Sequence, residues 1–135
     1  MSLLIVGTVA FDTIETPWEK KDRILGGSGT YASYAASFFT EPRLCGVVGK
    51  DFPEEYLDIL KNRRIDIEGV AREEGKTFYW EGRYEEDVNV RTTLVTELNV
   101  LETFNPVLPD SYRDSKYLFL ANIDPDLQLL VLDQC

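Results

Sequence analysis

The segment Gly26-Gly27-Ser28-Gly29 contains three glycines within four residues and leads into a run of small side chains. Glycine lets a ligand or another backbone approach closely, and the first N–H groups of a helix have no partners within that helix. The segment could therefore bind a ligand through backbone N–H groups. The alternative is a glycine turn before a helix that Ser28 or Thr30 caps, whose small residues serve only packing against a sheet.

Asp12 is the second residue that could do chemistry. It follows residues 3–7, a continuous apolar run that is typical of a strand buried on both faces of a parallel sheet. Ligands of open α/β sheets bind beyond the carboxyl ends of strands, and a carboxylate offers two acceptor oxygens to ligand hydroxyls. We therefore predict that Asp12 holds hydroxyl groups of a ligand. The alternative is an Asx turn that closes the strand.

The composition argues against several classes of function. The chain has 135 residues, of which 44% are hydrophobic, and this is enough for one folded domain with a core. Its net charge of −10 argues against a nucleic-acid partner. It contains no histidine, and its two cysteines, Cys45 and Cys135, form no metal-ligand cluster, so we predict no metal site within it. The first residues resemble neither a signal peptide nor a membrane span, which predicts a cytoplasmic protein with no membrane partner.

The remaining sequence predicts the elements that position the glycine segment and Asp12. The order of strand, helix, strand and helix indicates an α/β fold with parallel strands and right-handed crossovers. Residues 15–23, with a charge cluster at 20–23, are predicted to be a surface excursion and a solvated turn. Further buried strands are expected at residues 43–49 and 116–121, and helices at residues 30–39, after Asp51 and from Pro125.

The middle of the chain has a different pattern. Residues 77–84 are rich in strand formers, a charged turn follows at 85–87, and residues 88–101 alternate apolar and polar side chains with period two. This pattern predicts an antiparallel hairpin with one buried side. The hairpin would project from the α/β body as a cover or a contact surface. The alternative is that its strands extend the edge of the main sheet.

Three segments of the sequence resemble a known family in the same order. Residues 6–12, the glycine segment with its small-residue helix, and Val47-Val48-Gly49-Lys50-Asp51-Phe52-Pro53 resemble the amino-terminal half of ribokinase-family (PfkB-type) carbohydrate kinases. The resemblance covers essentially the whole chain. It implies a ribokinase-like three-layer α/β body, with a parallel sheet flanked by helices, and a small β-sheet lid around residues 76–101. Residues 1–135 would form the amino-terminal part of such a kinase domain.

The resemblance also implies an activity and its cofactors. The family uses ATP and Mg²⁺ to transfer the γ-phosphoryl group to a hydroxyl of a sugar or nucleoside. By resemblance, Asp12 would accept hydrogen bonds from substrate hydroxyls, and the glycines would let N–H groups close around the sugar. Tyr31 departs from the family pattern; it could stack on a ring or fill space left by a smaller substrate, and the alternative is a packing role. The implied substrate-binding residues are Asp12, Gly26, Gly27, Ser28, Gly29, Tyr31, Asn122 and Asp124.

Two departures from the family pattern bear on function. Ser28 and Tyr31 stand where ribokinase-like members often have Lys and Asn, and Ala10 replaces an Asn, which argues against ribose as the substrate. The second signature of the family, a glycine-rich turn that ends in the catalytic aspartate, has no counterpart in these residues, and the nucleotide site lies beside that turn. We therefore assign no catalytic residue and predict that a chain ending at Cys135 has no kinase activity.

Two other classes of function remain open. A half-fold without catalysis could be a binding or dimerisation module, and a homodimer could form through the lid sheet, because exposed strand edges tend to pair. The glycine loop could instead bind a dinucleotide in a Rossmann domain. That site requires the glycines directly after the first strand, whereas here they follow it about twenty residues later.

Overall fold

The computed structural model describes residues 2–135. The first half contains three strands, a helix, a strand, a helix and a strand: β1 (Leu3–Val6), β2 (Ala10–Glu15), β3 (Lys20–Gly26), α1 (Ser28–Ala36), β4 (Arg43–Gly49), α2 (Glu54–Asn62) and β5 (Val70–Glu73). The second half contains β6 (Tyr79–Tyr84), β7 (Arg91–Glu97), β8 (Tyr117–Leu120) and α3 (Pro125–Leu132), with short 3-10 helices at Asn99–Leu101 and Asp110–Tyr112.

The main sheet has the strand order β5-β4-β1-β8, and all its neighbouring strands are parallel. Side chains of β1 alternate between its two faces, as the strand pleat requires. Ile5 packs in a cluster with residues of α1 and α2, whereas Leu4 and Val6 pack in a second cluster with α3. The body therefore has three layers, as the sequence predicts. Within residues 2–135, none of the helices is long and apolar enough to cross a membrane.

A second sheet has the strand order β3-β2-β6-β7. Strands β6 and β7 form the predicted antiparallel hairpin, and β6 also pairs in parallel with β2. The hairpin is therefore part of a separate small sheet and does not extend the edge of the main sheet. The predicted fold class, an α/β body with a small β-sheet lid, is confirmed, and we call this second sheet the lid sheet.

The prediction of a solvated turn at residues 20–23 was wrong. Lys20–Gly26 forms β3, which pairs antiparallel with β2 at the edge of the lid sheet. Its charged side chains point to solvent, and charges are common on edge strands because they prevent pairing with other chains. The turn itself is shorter, and a hydrogen bond from Thr16 N to Glu19 O, 2.8 Å long, closes it. The charged residues therefore did not indicate a strand, because β3 is stabilised by its pairing with β2.

Apolar side chains at two sheet edges are more exposed than the sequence predicts. On the hairpin, the predicted buried side is 39% to 63% exposed at Val88, Val90, Leu94 and Leu98. Strand β8 pairs with β1 alone among the described strands. On one of its faces Tyr117 and Phe119 are exposed, while the alternate residues pack in the core. The expectations of a one-side-buried hairpin and of a fully buried β8 were therefore wrong for residues 2–135.

Candidate functional site

A cleft of about 370 Å³ lies between the glycine segment and the lid sheet. It brings together residues from β2, the start of α1, the lid hairpin and the chain after β8. Five residues that the sequence predicts as ligand-binding line it: Asp12, Gly27, Ser28, Tyr31 and Asn122. Four further residues complete the lining, and the sequence analysis did not select them: Phe78, Trp80, Tyr84 and Arg91.

Asp12 lies in the middle of β2, so the alternative of an Asx turn was wrong. The residue is only 9% exposed, and burial raises the pKa of its carboxyl, while an N–H donated by Gly27 partly opposes that rise. Gly26 leaves the space that the carboxylate occupies, because a Cβ atom at this position would lie 2.1 Å from Asp12 Oδ2. The acceptor oxygens of Asp12 are therefore fixed at the wall of the cleft.

The glycine segment is held by Thr8, which lies between β1 and β2. Ser28 N donates to Thr8 Oγ1 at 2.8 Å, and Gly29 N donates to Thr8 O at 2.9 Å. Gly27, at φ 99°, is the N-cap of α1, and no side-chain cap forms there, so the prediction of a Ser28 or Thr30 cap was wrong. Thr8 instead supplies the acceptors from outside the helix.

The N–H groups of Gly27 and Gly29 thus have partners within the protein. The two glycines let the start of α1 approach the backbone of Thr8 closely. A Cβ atom would lie 2.4 Å from Thr8 O at Gly27 and 3.0 Å from it at Gly29. That these N–H groups close around a ligand stays a prediction. Thr8 could have been suspected from the sequence, because it follows the first buried strand directly and its hydroxyl both donates and accepts.

Asn122 and Asp124 separate in the structure. Asn122 lines the cleft, and its backbone oxygen accepts a hydrogen bond of 2.9 Å from Ser28 Oγ. Asp124 caps α3, where its Oδ1 accepts from Asp126 N at 2.9 Å, as the sequence predicts. It lines a different groove, beside Phe104 and Leu127. Of the two, only Asn122 lies in the cleft, and the ligand-binding role of either residue stays a prediction.

The lid side of the cleft is aromatic. The Trp80 and Tyr84 rings meet edge to face with their centres 6.5 Å apart, and the Arg91 guanidinium lies 5.5 Å from the centre of the Trp80 ring. Tyr31 approaches from α1, and its pKa is raised by burial and by the charges of Asp12 and Tyr84. The closely spaced aromatic residues of the segment 78–84 were a signal in the sequence that could have identified this wall.

Comparisons with known proteins find kinases of similar sequence and fold. No model of a protein family matches the sequence. A cytidine kinase from Thermococcus kodakarensis is 30% identical over 136 residues, and the match covers 99% of this chain and 48% of that protein. The chain therefore spans about half the length of this curated relative.

Solved structures match over the same span. The nucleoside kinase of Methanocaldococcus jannaschii, an archaeal member of the ribokinase family, matches 99% of this chain and 48% of its own, with 20% identity and a TM-score of 0.76. The chain has the ribokinase fold. The ribokinase of Cryptococcus neoformans in complex with ADP matches 98% of this ribokinase-like chain and 44% of its own, with 18% identity and a TM-score of 0.69.

A third structure, the nucleoside kinase of Burkholderia thailandensis in complex with inosine, matches 75% of the ribokinase-like chain and 37% of its own. Its identity is 20% and its TM-score is 0.64. The resemblance to the amino-terminal part of ribokinase-family kinases, predicted from sequence, is thereby confirmed. The relatives and neighbours include nucleoside kinases and a ribokinase.

The described residues contain no cluster of metal-ligating side chains. Within residues 2–135, no three His, Cys, Asp or Glu residues come together where a metal ion could bind. What the described residues offer a ligand is a fixed carboxylate, a backbone turn and aromatic surface. These groups suit an organic molecule that carries hydroxyls.

Proposed function

We propose that the ribokinase-like chain is the substrate-binding part of an ATP-dependent kinase whose acceptor is a hydroxyl of a sugar or nucleoside. The observation that carries the proposal is the Asp12 carboxylate, which is buried beside the cleft, held by the Gly27 N–H and given space by Gly26. The kinases among the relatives and neighbours support it.

In this proposal, Asp12 accepts hydrogen bonds from two substrate hydroxyls and so fixes the orientation of the alcohol. Phosphoryl transfer depends mainly on such positioning and on electrostatic stabilisation. The lid sheet covers the bound alcohol and excludes water. ATP, bound with Mg²⁺, supplies the phosphoryl group, and the catalytic base and the nucleotide contacts belong to parts of the kinase beyond these residues. A cytoplasmic location stays a prediction from the sequence.

The test is Asp12→Asn in the protein of full natural length, assayed for phosphate transfer from ATP to a panel of sugars and nucleosides. We expect kcat/KM to fall, because substrate hydroxyls lose a charged acceptor. The fall should correspond to a loss of about 2–4 kcal/mol in transition-state stabilisation. Asp58→Asn is the matched control, since Asp58 is exposed on α2, away from the cleft. An unchanged kcat/KM in Asp12→Asn would show that Asp12 does not hold the substrate.

The proposal also keeps the expectation that residues 1–135 alone transfer no phosphate. The described residues supply an acceptor site, and no base has been assigned among them. ATP-dependent phosphorylation of any of the panel alcohols by this segment alone would contradict the assigned division of roles.

A non-catalytic dimerisation module is the second candidate, and the exposed hairpin favours it. Strand β7 is an edge of the lid sheet, and Val88, Val90 and Leu94 near it are exposed. Two copies could pair through this edge. Leu94→Lys should then turn a dimer into a monomer in sedimentation experiments. This candidate replaces the kinase only if the full-length protein transfers no phosphate to any panel alcohol, because a kinase can also dimerise.

A further inference from the structure

Asp12 and Trp80 are neighbours across the lid sheet. They are paired in the register of β2 and β6, so their side chains leave the same face of the sheet and both line the cleft. An acceptor for hydroxyls therefore lies directly beside a large aromatic ring. One ligand that contacts both must combine a hydroxyl-bearing part with a flat part.

The Trp80 ring is held by contacts with other residues of the lid sheet. It lies over Gly82, where a Cβ atom would be 2.0 Å from a carbon of the indole. Its Nε1 donates to Thr93 Oγ1 at 3.3 Å, and the Arg91 guanidinium lies near the ring. A fixed ring loses little conformational freedom when another ring packs against it. Such a side chain is suited to stacking.

Tyr31 supplies aromatic surface from the opposite side of the cleft. It lies in the first turn of α1, where its N–H donates to Gly27 O at 3.0 Å, and its side chain is 53% exposed. Within the described residues, the cleft lining holds four aromatic side chains, Tyr31, Phe78, Trp80 and Tyr84, against one cation, Arg91. Beside the hydroxyls that Asp12 would bind, this lining suits an uncharged aromatic ring of the ligand better than a further polar or anionic group.

We infer that the cleft binds a nucleoside, with its sugar hydroxyls on Asp12 and its nucleobase stacked on Trp80, in the space that Tyr31 faces. The inference rests on the proposed function for the role of Asp12, and it narrows the acceptor from sugars in general to nucleosides. A free sugar would satisfy Asp12 but leave the aromatic wall without a partner. Stacking tolerates different bases, so we expect both cytidine and inosine to bind.

The experiment measures binding of cytidine, inosine, ribose and ribose 5-phosphate to the full-length protein by calorimetry. We expect both nucleosides to bind at least about tenfold more tightly than ribose, because stacking on an aromatic side chain contributes that much per base. Trp80→Leu should weaken nucleoside binding by about tenfold to a hundredfold and leave ribose binding unchanged. Trp18→Leu is the matched control, since Trp18 is 74% exposed in the turn between β2 and β3.

A second measurement does not depend on the folding of Trp80→Leu. In a full-length background with Trp18 and any tryptophan beyond residue 135 replaced by Phe, cytidine should quench the Trp80 fluorescence and ribose should not. Ribose or ribose 5-phosphate binding as tightly as the nucleosides, no quenching by cytidine, or unchanged nucleoside affinity in folded Trp80→Leu would each overturn the inference. If one of these results is obtained and the Asp12→Asn variant nevertheless loses phosphate transfer to a sugar, the nucleoside inference fails and the proposed function stands. Trp80-dependent nucleoside binding without any phosphate transfer would sustain the inference and refute the kinase proposal.

Discussion

Replacing Thr8 by Val tests how the structure holds the glycine segment. The two side chains have nearly the same shape, so the change removes the hydroxyl and little packing. Ser28 N then loses its acceptor at 2.8 Å, and Ser28 Oγ loses a partner at 3.1 Å. The backbone oxygen of Thr8 still accepts from Gly29 N.

The expected loss of stability follows from counting the groups left without partners. Ser28 Oγ still donates to Asn122 O and accepts from Thr8 N, so only the Ser28 N–H is left without any partner. Loss of a helix cap or of one partner of a partly buried donor costs about 1–2 kcal/mol. For a chain of this size, about 1 kcal/mol corresponds to a fall in Tm of roughly 3–5 °C.

The assay compares urea unfolding and Tm for Thr8→Val, Thr8→Ser and Thr92→Val. Thr8→Ser retains the hydroxyl and should unfold close to the wild type. Thr92→Val is the matched control, because Thr92 is exposed on β7, and should change the free energy of unfolding by less than about 0.5 kcal/mol. In the full-length protein, we expect kcat/KM to fall in Thr8→Val, since Gly27 adjoins Ser28 and donates to Asp12. Equal stabilities of Thr8→Val and the wild type, or equal losses in the Val and Ser variants, would refute this account of the cap.

Three further predictions concern Asp12, Cys45 and Gly82. Because burial raises the pKa of Asp12, the folded state holds that proton more tightly than the unfolded state, and the resulting stability is lost as pH rises through the folded pKa. Asp12→Asn should therefore gain stability relative to the wild type as pH rises from the ordinary titration range of a carboxyl through the raised pKa of Asp12. A difference in the free energy of unfolding that does not change with pH in urea titrations would contradict this. Burial raises the pKa of the Cys45 thiol to about 12, so a thiol reagent should modify exposed Cys135 in the folded protein and Cys45 only after unfolding; equal rates would contradict the burial of Cys45. Gly82→Ala should displace the Trp80 ring, changing the near-ultraviolet circular dichroism and weakening cytidine binding, and an unchanged affinity would show that the ring position does not matter.

The body of the fold was predictable because its signals are local. Strand β4 is a continuous apolar run, and its observed bounds equal the predicted ones. Helix α2 begins after Pro53 with Glu54 and Glu55 in its first turn, a pattern that favours a helix start by itself. Strand β3 was missed because its charged side chains carry no strand pattern, and its pairing with β2 and the salt bridge between Lys20 and Glu81 are tertiary contacts.

The residues of the candidate site also divide into those with local sequence signals and those whose role depends on tertiary contacts. Asp12 and the glycine segment could be selected from the sequence, because the end of the first apolar run and a cluster of glycines are local patterns. The predicted position of Asp12 just past a strand end was wrong, since Asp12 lies within β2. The aromatic residues of the segment 78–84 were a signal in the sequence, but only the register of β2 with β6 places Trp80 beside Asp12. Thr8 was missed for a similar reason, since its role depends on the start of α1 approaching the end of β1. Single-sequence patterns do not encode such long-range pairings.

The hydrogen bond between Ser28 Oγ and Asn122 O has a consequence for the order of folding. It joins residues 94 positions apart, across the pairing of β1 with β8. Closing so long a loop costs conformational entropy before the new contacts stabilise the chain. Long-range pairings of this kind therefore slow folding. During synthesis, a ribosome that has released only the lid hairpin has produced Asp12 and Trp80 but not the strand that completes the cleft. The lining of the cleft is therefore complete only after β8 has emerged and brought Asn122 beside Ser28, so a ligand that needs the complete cleft can stabilise only chains that have passed this step.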